Sequence, residues 1–119
     1  MPEARGRRVA ARPSTGPARH EMPAIDDAAL AAARHADRVL AAVRELGLER
    51  WERYLGAVPD QLRDGDLREI RTAAMRGRAA YGPKDSIRDS IAEELTEPFL
   101  ESVDRVLKAL ARREVRGDR

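Results

Sequence analysis

From Ile25 to Leu110 the apolar residues return at steps of three and four and never settle into alternation. That period constrains this chain more than anything else in it, because it fits helix faces and fits no sheet. The stretch "DDAALAAARHADRVLAAVRELG" predicts a first helix, with two aspartates at its cap and Gly47 as its C-terminal stop. Ile25, Ala29, Ala32, Ala36, Val39, Val43 and Leu46 mark one face of it, and Leu40 adds bulk. The first half of that face is alanine, so a neighbouring helix can approach closely there. "LERWERYLGAV" repeats the pattern with Leu48, Trp51, Leu55 and Val58, and Pro59 is expected to end it.

"PDQLRDGD" reads as a helical turn followed by a loop. Asp66 with Glu69 three residues on forms a capping box that opens "LREIRTAAMRGRAAY", whose buried stripe is Leu67, Ile70, Ala74, Gly77 and Tyr81. Ile87, Ile91 and Leu95 recur every four residues and predict a short helix over 86–95. Thr96 as a cap and Pro98 in a first turn would then start a last helix carrying Phe99, Val103, Val106, Leu107 and Leu110. The alternative is one helix that continues, kinked, through Pro98. The expected fold is all-α: a small antiparallel helical bundle of four to five helices over residues 24–115, with a frayed C-terminus at 116–119.

Hydrophobic residues make up 42% of the 119, enough for a modest core, but aromatic residues only 3%. The chain has no cysteine, which excludes disulfides, thiol catalysis and cysteine-based zinc sites. No run reaches the ~18 apolar residues of a membrane span, and no signal-peptide core follows the N-terminus. These features point to a cytoplasmic protein with no membrane partner. Arginine outnumbers lysine 21 to 2 and alanine is abundant, a composition that fits a GC-rich bacterial genome.

The net charge of +2 is unevenly placed. Residues 1–23 hold five arginines against two glutamates, while residues 24–119 hold 18 bases against 19 acids. The proline- and glycine-rich segment 1–23 reads as a disordered basic arm. Arg5, Arg7, Arg8 and Arg12 are its candidate contacts to nucleic acid or another acidic partner.

Catalytic chemistry finds little support. His20 lies in the arm, and His35, at the edge of the first apolar face, has no second ligand at metal-binding spacing. Serines 14, 86, 90 and 102 have no neighbouring base to activate them. Asp60, Asp64 and Asp66 lack the alternating positions and distal glutamate of a calcium loop. "YGPKDS" has one glycine, a proline that removes a donor, and an acid after its lysine, so it would cradle phosphate poorly. It makes better sense as a helix joint: Gly82 at positive φ, Pro83 forbidding continuation, and Asp85 or Ser86 capping the next helix. Alternatively, Gly82 is the cap and Pro83 the first helical residue. No catalytic, cofactor or metal-binding residue is assigned, and no small-molecule substrate is evident.

Six bases lie between Arg68 and Arg88, and Arg71, Arg76 and Arg78 are further candidates for an acidic partner or nucleic acid. At 100° per residue they wrap the helix instead of forming a stripe, and the segment after them is acidic. That makes a poor helix–turn–helix. Glu93 and Glu94 would stand at the negative end of a helix over 86–95, so they are expected to pair with Arg71 and Arg78 or with a basic partner. Glu101–Arg105 and Asp104–Lys108 are expected as helix pairs four residues apart. The leading functional expectation is a non-catalytic protein-interaction or regulatory module, self-associating in part through the alanine face of 29–36. The alternative is a small DNA-associated regulator whose arginine-rich arm contacts the phosphate backbone.

Overall fold

The computed structural model describes residues 18–117, with side chains through Glu114. The described part is all-α, and no strand occurs in it. Its helices are α1 (Pro23–Glu45), α2 (Glu49–Leu55), α3 (Val58–Asp64), α4 (Leu67–Ala79) and α5 (Glu93–Gly117), with 3₁₀ turns at Arg19–Glu21 and Ile87–Asp89.

Helix α1 begins three residues before the aspartates of the sequence pattern, with Pro23 in its first turn. Proline's fixed φ suits that position, and its missing N–H would have no intrahelical partner there anyway. Arg19, assigned by sequence to the arm, is part of the fold. Its Nε pairs with Asp26 at 2.7 Å and its Nη1 donates to the Gly65 carbonyl at 2.9 Å. Gly47 ends α1 as expected, at φ +70, with Leu48 N–H on the Val43 carbonyl and Gly47 N–H on the Arg44 carbonyl. This is a Schellman closure, and it needs a residue that tolerates the left-handed region.

Pro59 starts a helix instead of merely ending one. It lies in the first turn of α3, buried with Val58 and Leu62, where a turn and loop were expected. The Asp66–Glu69 capping box forms reciprocally, at 2.8 and 3.0 Å, and opens α4.

The largest departure from the sequence reading falls at residues 86–98. No separate α-helix forms over 86–95. Ser86 caps a single 3₁₀ turn, Ile87 within it and Ile91 after it are buried, and α5 starts at Glu93 and continues unbroken through Pro98, as in the alternative expectation. A four-residue apolar spacing cannot distinguish a helix from a turn that buries its first residue and then restarts. Pro98 is tolerated because the carbonyl it fails to serve belongs to exposed Glu94, in the first turn of α5, where solvent can take over. Helix α5 also extends to Gly117, beyond the expected boundary at 115.

Helix α1 packs on α5, α2 and α3; α5 packs on α4; and α4 packs on α3. Contacts at the two ends set the directions. Arg19 before α1 reaches Gly65 before α4, and Arg71 early in α4 reaches Glu114 late in α5. At the opposite end Tyr54 of α2 meets Arg76 late in α4. Helix α5 therefore runs antiparallel to both α1 and α4. Phe99, Leu62, Ile70, Val39 and Val103 are among the fully buried side chains between the helices.

Two places show close approach. Ala29, Ala32, Ala33 and Ala36 are at most 4% exposed, so the alanine face is covered by the chain's own helices and not left for a second copy. On α4, a methyl group at Gly77 would stand 2.9 Å from the Phe99 ring and 3.2 Å from Val103. Both serve the same end: a missing or small side chain lets helix axes come together.

Candidate functional site

Two surfaces of α5 gather charged side chains, and they differ in how those charges are satisfied. The first is the seam between α4 and α5. Arg71, Met75, Arg78 and Ala79 recur at three- and four-residue steps on α4, and with Leu107 of α5 they line an open groove of about 460 Å³. Met75 is 55% exposed, which is unusual for a large apolar side chain in this molecule. Arg71 pairs with Glu114, and Arg78 with Asp104, both from the opposite wall.

These partners correct the expected pairing of Arg71 and Arg78 with Glu93 and Glu94. The corner between α4 and α5 spans residues 80–92 and contains no α-helix, so the antiparallel register carries Arg78 past Glu93 and Glu94 to Asp104. Glu93 and Glu94 instead occupy the first turn of α5, exposed, at the positive end of the helix dipole. The supposed misfit of two carboxylates at a negative end disappears. The expected Asp104–Lys108 and Glu101–Arg105 bridges do not form either; Asp104 is taken by Arg78 across the seam.

The corner itself is a structural clamp. Asp85, not Gly82, carries the positive φ, at 54°, and Ser86 accepts from Arg88 N–H at 3.1 Å. Pro83 follows Gly82 in the bend and opens no helix. Ile87 N–H reaches back to the Ala80 carbonyl at 2.9 Å. Arg88 then grips Glu97 with two bonds, at 2.8 and 2.9 Å, and lies over the Tyr81 ring. That fork holds the Glu97 carboxyl down to about 2. Burial, then the Glu97 charge, pushes the Tyr81 hydroxyl far above its ordinary value, and that hydroxyl donates to the Thr96 carbonyl.

Arg76, the remaining candidate on α4, faces the other way. It stacks on Tyr54, with 4.7 Å from its guanidinium carbon to the ring centroid, and donates to the Tyr54 carbonyl at 3.2 Å. Each of the three α4 candidates thus has an intramolecular partner. Arg5, Arg7, Arg8 and Arg12 lie outside the described residues.

The second surface is the seam between α1 and α5, which sequence reasoning missed. Arg34, His35 and Arg38 occupy one turn of α1, and Arg105, Lys108 and Arg112 follow one another at three- and four-residue steps on α5. The four arginines and the lysine are all exposed, and none has a carboxylate within ion-pair distance among the described residues. His35 reports on the proximity of three of them. Its pKa is lowered first by burial and then by the charges of Arg38, Arg34 and Arg105, with Glu101 the one opposing charge. Arg105 comes from a helix about seventy residues further along the chain, a proximity visible only after folding.

Among the described residues no group of three or more histidines, aspartates or glutamates gathers as a metal set, and no helix is long and apolar enough to cross a membrane. Compared with protein-family models, curated proteins and solved structures, the chain shows no match.

Proposed function

We propose that this chain is a non-catalytic protein-interaction module that self-associates, the α4–α5 groove of one copy packing on the same groove of a second. The observation that carries the reading is the exposed Met75, which stands in an apolar groove walled by cations on one side and carboxylates on the other. A two-fold axis through such a groove sets the basic wall of each copy against the acidic wall of the other. Arg71 and Arg78 can then share Glu114 and Asp104 between copies at the rim, while Met75, Ala79 and Leu107 supply the apolar centre. Methionine suits that place because its flexible side chain adapts to an imperfect mate.

The α1 alanine face takes no part in this contact, since the chain itself covers it. Light scattering behind a sizing column tests the reading. The expected result is a mass that rises from one copy toward two with concentration and returns to one in Met75→Glu. A single-copy mass at every concentration overturns it.

A further inference from the structure

We propose that the α1–α5 seam, through Arg34, Arg38, Arg105, Lys108 and Arg112, is a binding surface for the phosphate backbone of nucleic acid. This surface is distinct from the α4–α5 groove and does not depend on self-association there. Nor is it the N-terminal arm, because every one of these residues belongs to a packed helix.

Three observations favour it. The five bases are exposed and have no carboxylate partner among the described residues, whereas Arg19, Arg44, Arg63, Arg71, Arg78 and Arg88 are each within 4.0 Å of one. Leaving a cluster of like charges uncompensated disfavours the folded state, so its neutralisation by a polyanion is favourable. The bases also form two rows, one on each of two antiparallel helices. Within each row, steps of three and four residues put about 4.5–6 Å of helix rise between successive cations. Such a rigid double row can follow successive phosphates and release their counterions.

The third observation concerns what the seam lacks. A protein partner needs an apolar anchor at the centre of its interface. The exposed large apolar side chains among the described residues are Leu46, beyond the end of α1, and Met75, on α4. On the α1 side of the seam His35, Ala31 and Ala42 are half-buried and offer no large apolar side chain, and Glu101 of α5 is the one acid whose charge acts on His35. Charge without an apolar centre fits a polyanion better than a protein.

Histidine 35 provides an internal reporter. Facing it are Arg34 and Arg38 from its own helix, and Arg105 and Glu101 from α5. A phosphate seated on the arginines removes the repulsion that disfavours its imidazolium, so its titration midpoint must rise on binding. An anion held only by the arm leaves that midpoint where it was.

The test uses the full chain and a generic duplex DNA, with affinity measured by fluorescence anisotropy at about 50 and about 200 mM salt. The expected affinity falls steeply with salt. Arg34→Gln, Arg38→Gln and Arg105→Gln together lower the log–log salt slope by about three, roughly one for each phosphate no longer neutralised. Arg53→Gln, an exposed change on α2 at the opposite flank of α1, leaves the slope unchanged. NMR titration of the His35 imidazole, assigned with His35→Gln, moves upward when DNA is present. Should the triple variant unfold, Lys108→Gln with Arg112→Gln carries the same expectation, with a slope lower by about two. No DNA binding at the lower salt overturns the proposal. So does an unchanged slope in folded seam variants, an unmoved His35 midpoint, or tighter seam-dependent binding to vesicles of anionic phospholipid than to DNA.

Discussion

The two flanks of α5 use the same residue type in opposite ways. Toward α4, Arg71 and Arg78 each close on a carboxylate across the seam, and Gly77 draws the helices together beneath them. Toward α1, Arg105 meets more arginine, and the nearby histidine is biased against protonation by burial first and by these charges second. The first flank pairs its charges across the seam; on the second, Arg34, Arg38 and Arg105 have no carboxylate partner among the described residues. Arginine content alone therefore says little about what an arginine does here. Its fate is set by which helix lies opposite.

The comparison can be broken at several points. The largest effect is expected from Phe99→Ala, which empties the centre of the α4–α5 contact: about 3–5 kcal/mol lost in denaturant unfolding. A loss below about 1 kcal/mol would mean that the close packing under Gly77 does not exist in solution. Gly77→Ala comes next. Helix propensity alone favours it by about 1 kcal/mol, but overpacking against the Phe99 ring and Val103 costs about 1–3 kcal/mol. A net loss of stability is expected, and a gain would show that α4 and α5 sit further apart.

Charge reversal on the two flanks should diverge. Arg78→Glu removes a pair worth about 0.2–1 kcal/mol and adds repulsion from Asp104, so the midpoint of unfolding falls. Arg105→Glu leaves the midpoint unchanged or raises it, because it relieves repulsion in the basic seam. Equal losses in both variants would erase the distinction between the flanks.

The smallest effects lie in pH dependence. Glu97 is held down to about 2 by Arg88, from an ordinary 4.5. Its contribution to stability is therefore complete above 4.5 and disappears as the pH falls toward 2, and Glu97→Gln removes that part of the acid transition. His35 has the opposite chemistry but the same slope. Its folded value lies below 6.5, so the unfolded chain holds more protons, and stability declines as the pH drops from 6.5 through the folded value. His35→Gln should flatten this segment of the stability curve. A profile equally steep with glutamine there would show that neither burial nor the seam arginines shift the His35 imidazole.

Much of the fold was legible because its signals are local. The Asp66–Glu69 capping box, the Gly47 stop and the apolar faces of α1, α4 and the last helix each depend on residues within a turn or two of one another. Around Pro98 two local signals, a four-residue apolar step and a proline, favoured a break, and the structure takes the alternative of a helix that continues through Pro98. Only the packing of Ile87, Ile91 and Phe99 in one core decides that the break comes earlier, at the 3₁₀ turn. Of the candidate sites, Arg71 and Arg78 were rightly grouped on one side of their helix, but their partners were misassigned by one corner's length. Nothing in the local sequence singles out Arg34, Arg38 and Arg105 as a group.

From the sequence alone came the helical character of the described residues, the stop of α1, the start of α4 and the apolar faces of α1, α4 and α5, since period, caps and stops act within a few residues. Only the packing of the helices settles which charges among the described residues pair with one another and which do not. Ion pairing depends on distances of a few ångströms between residues tens of positions apart, and these are set only once the antiparallel register of α4, α5 and α1 is in place.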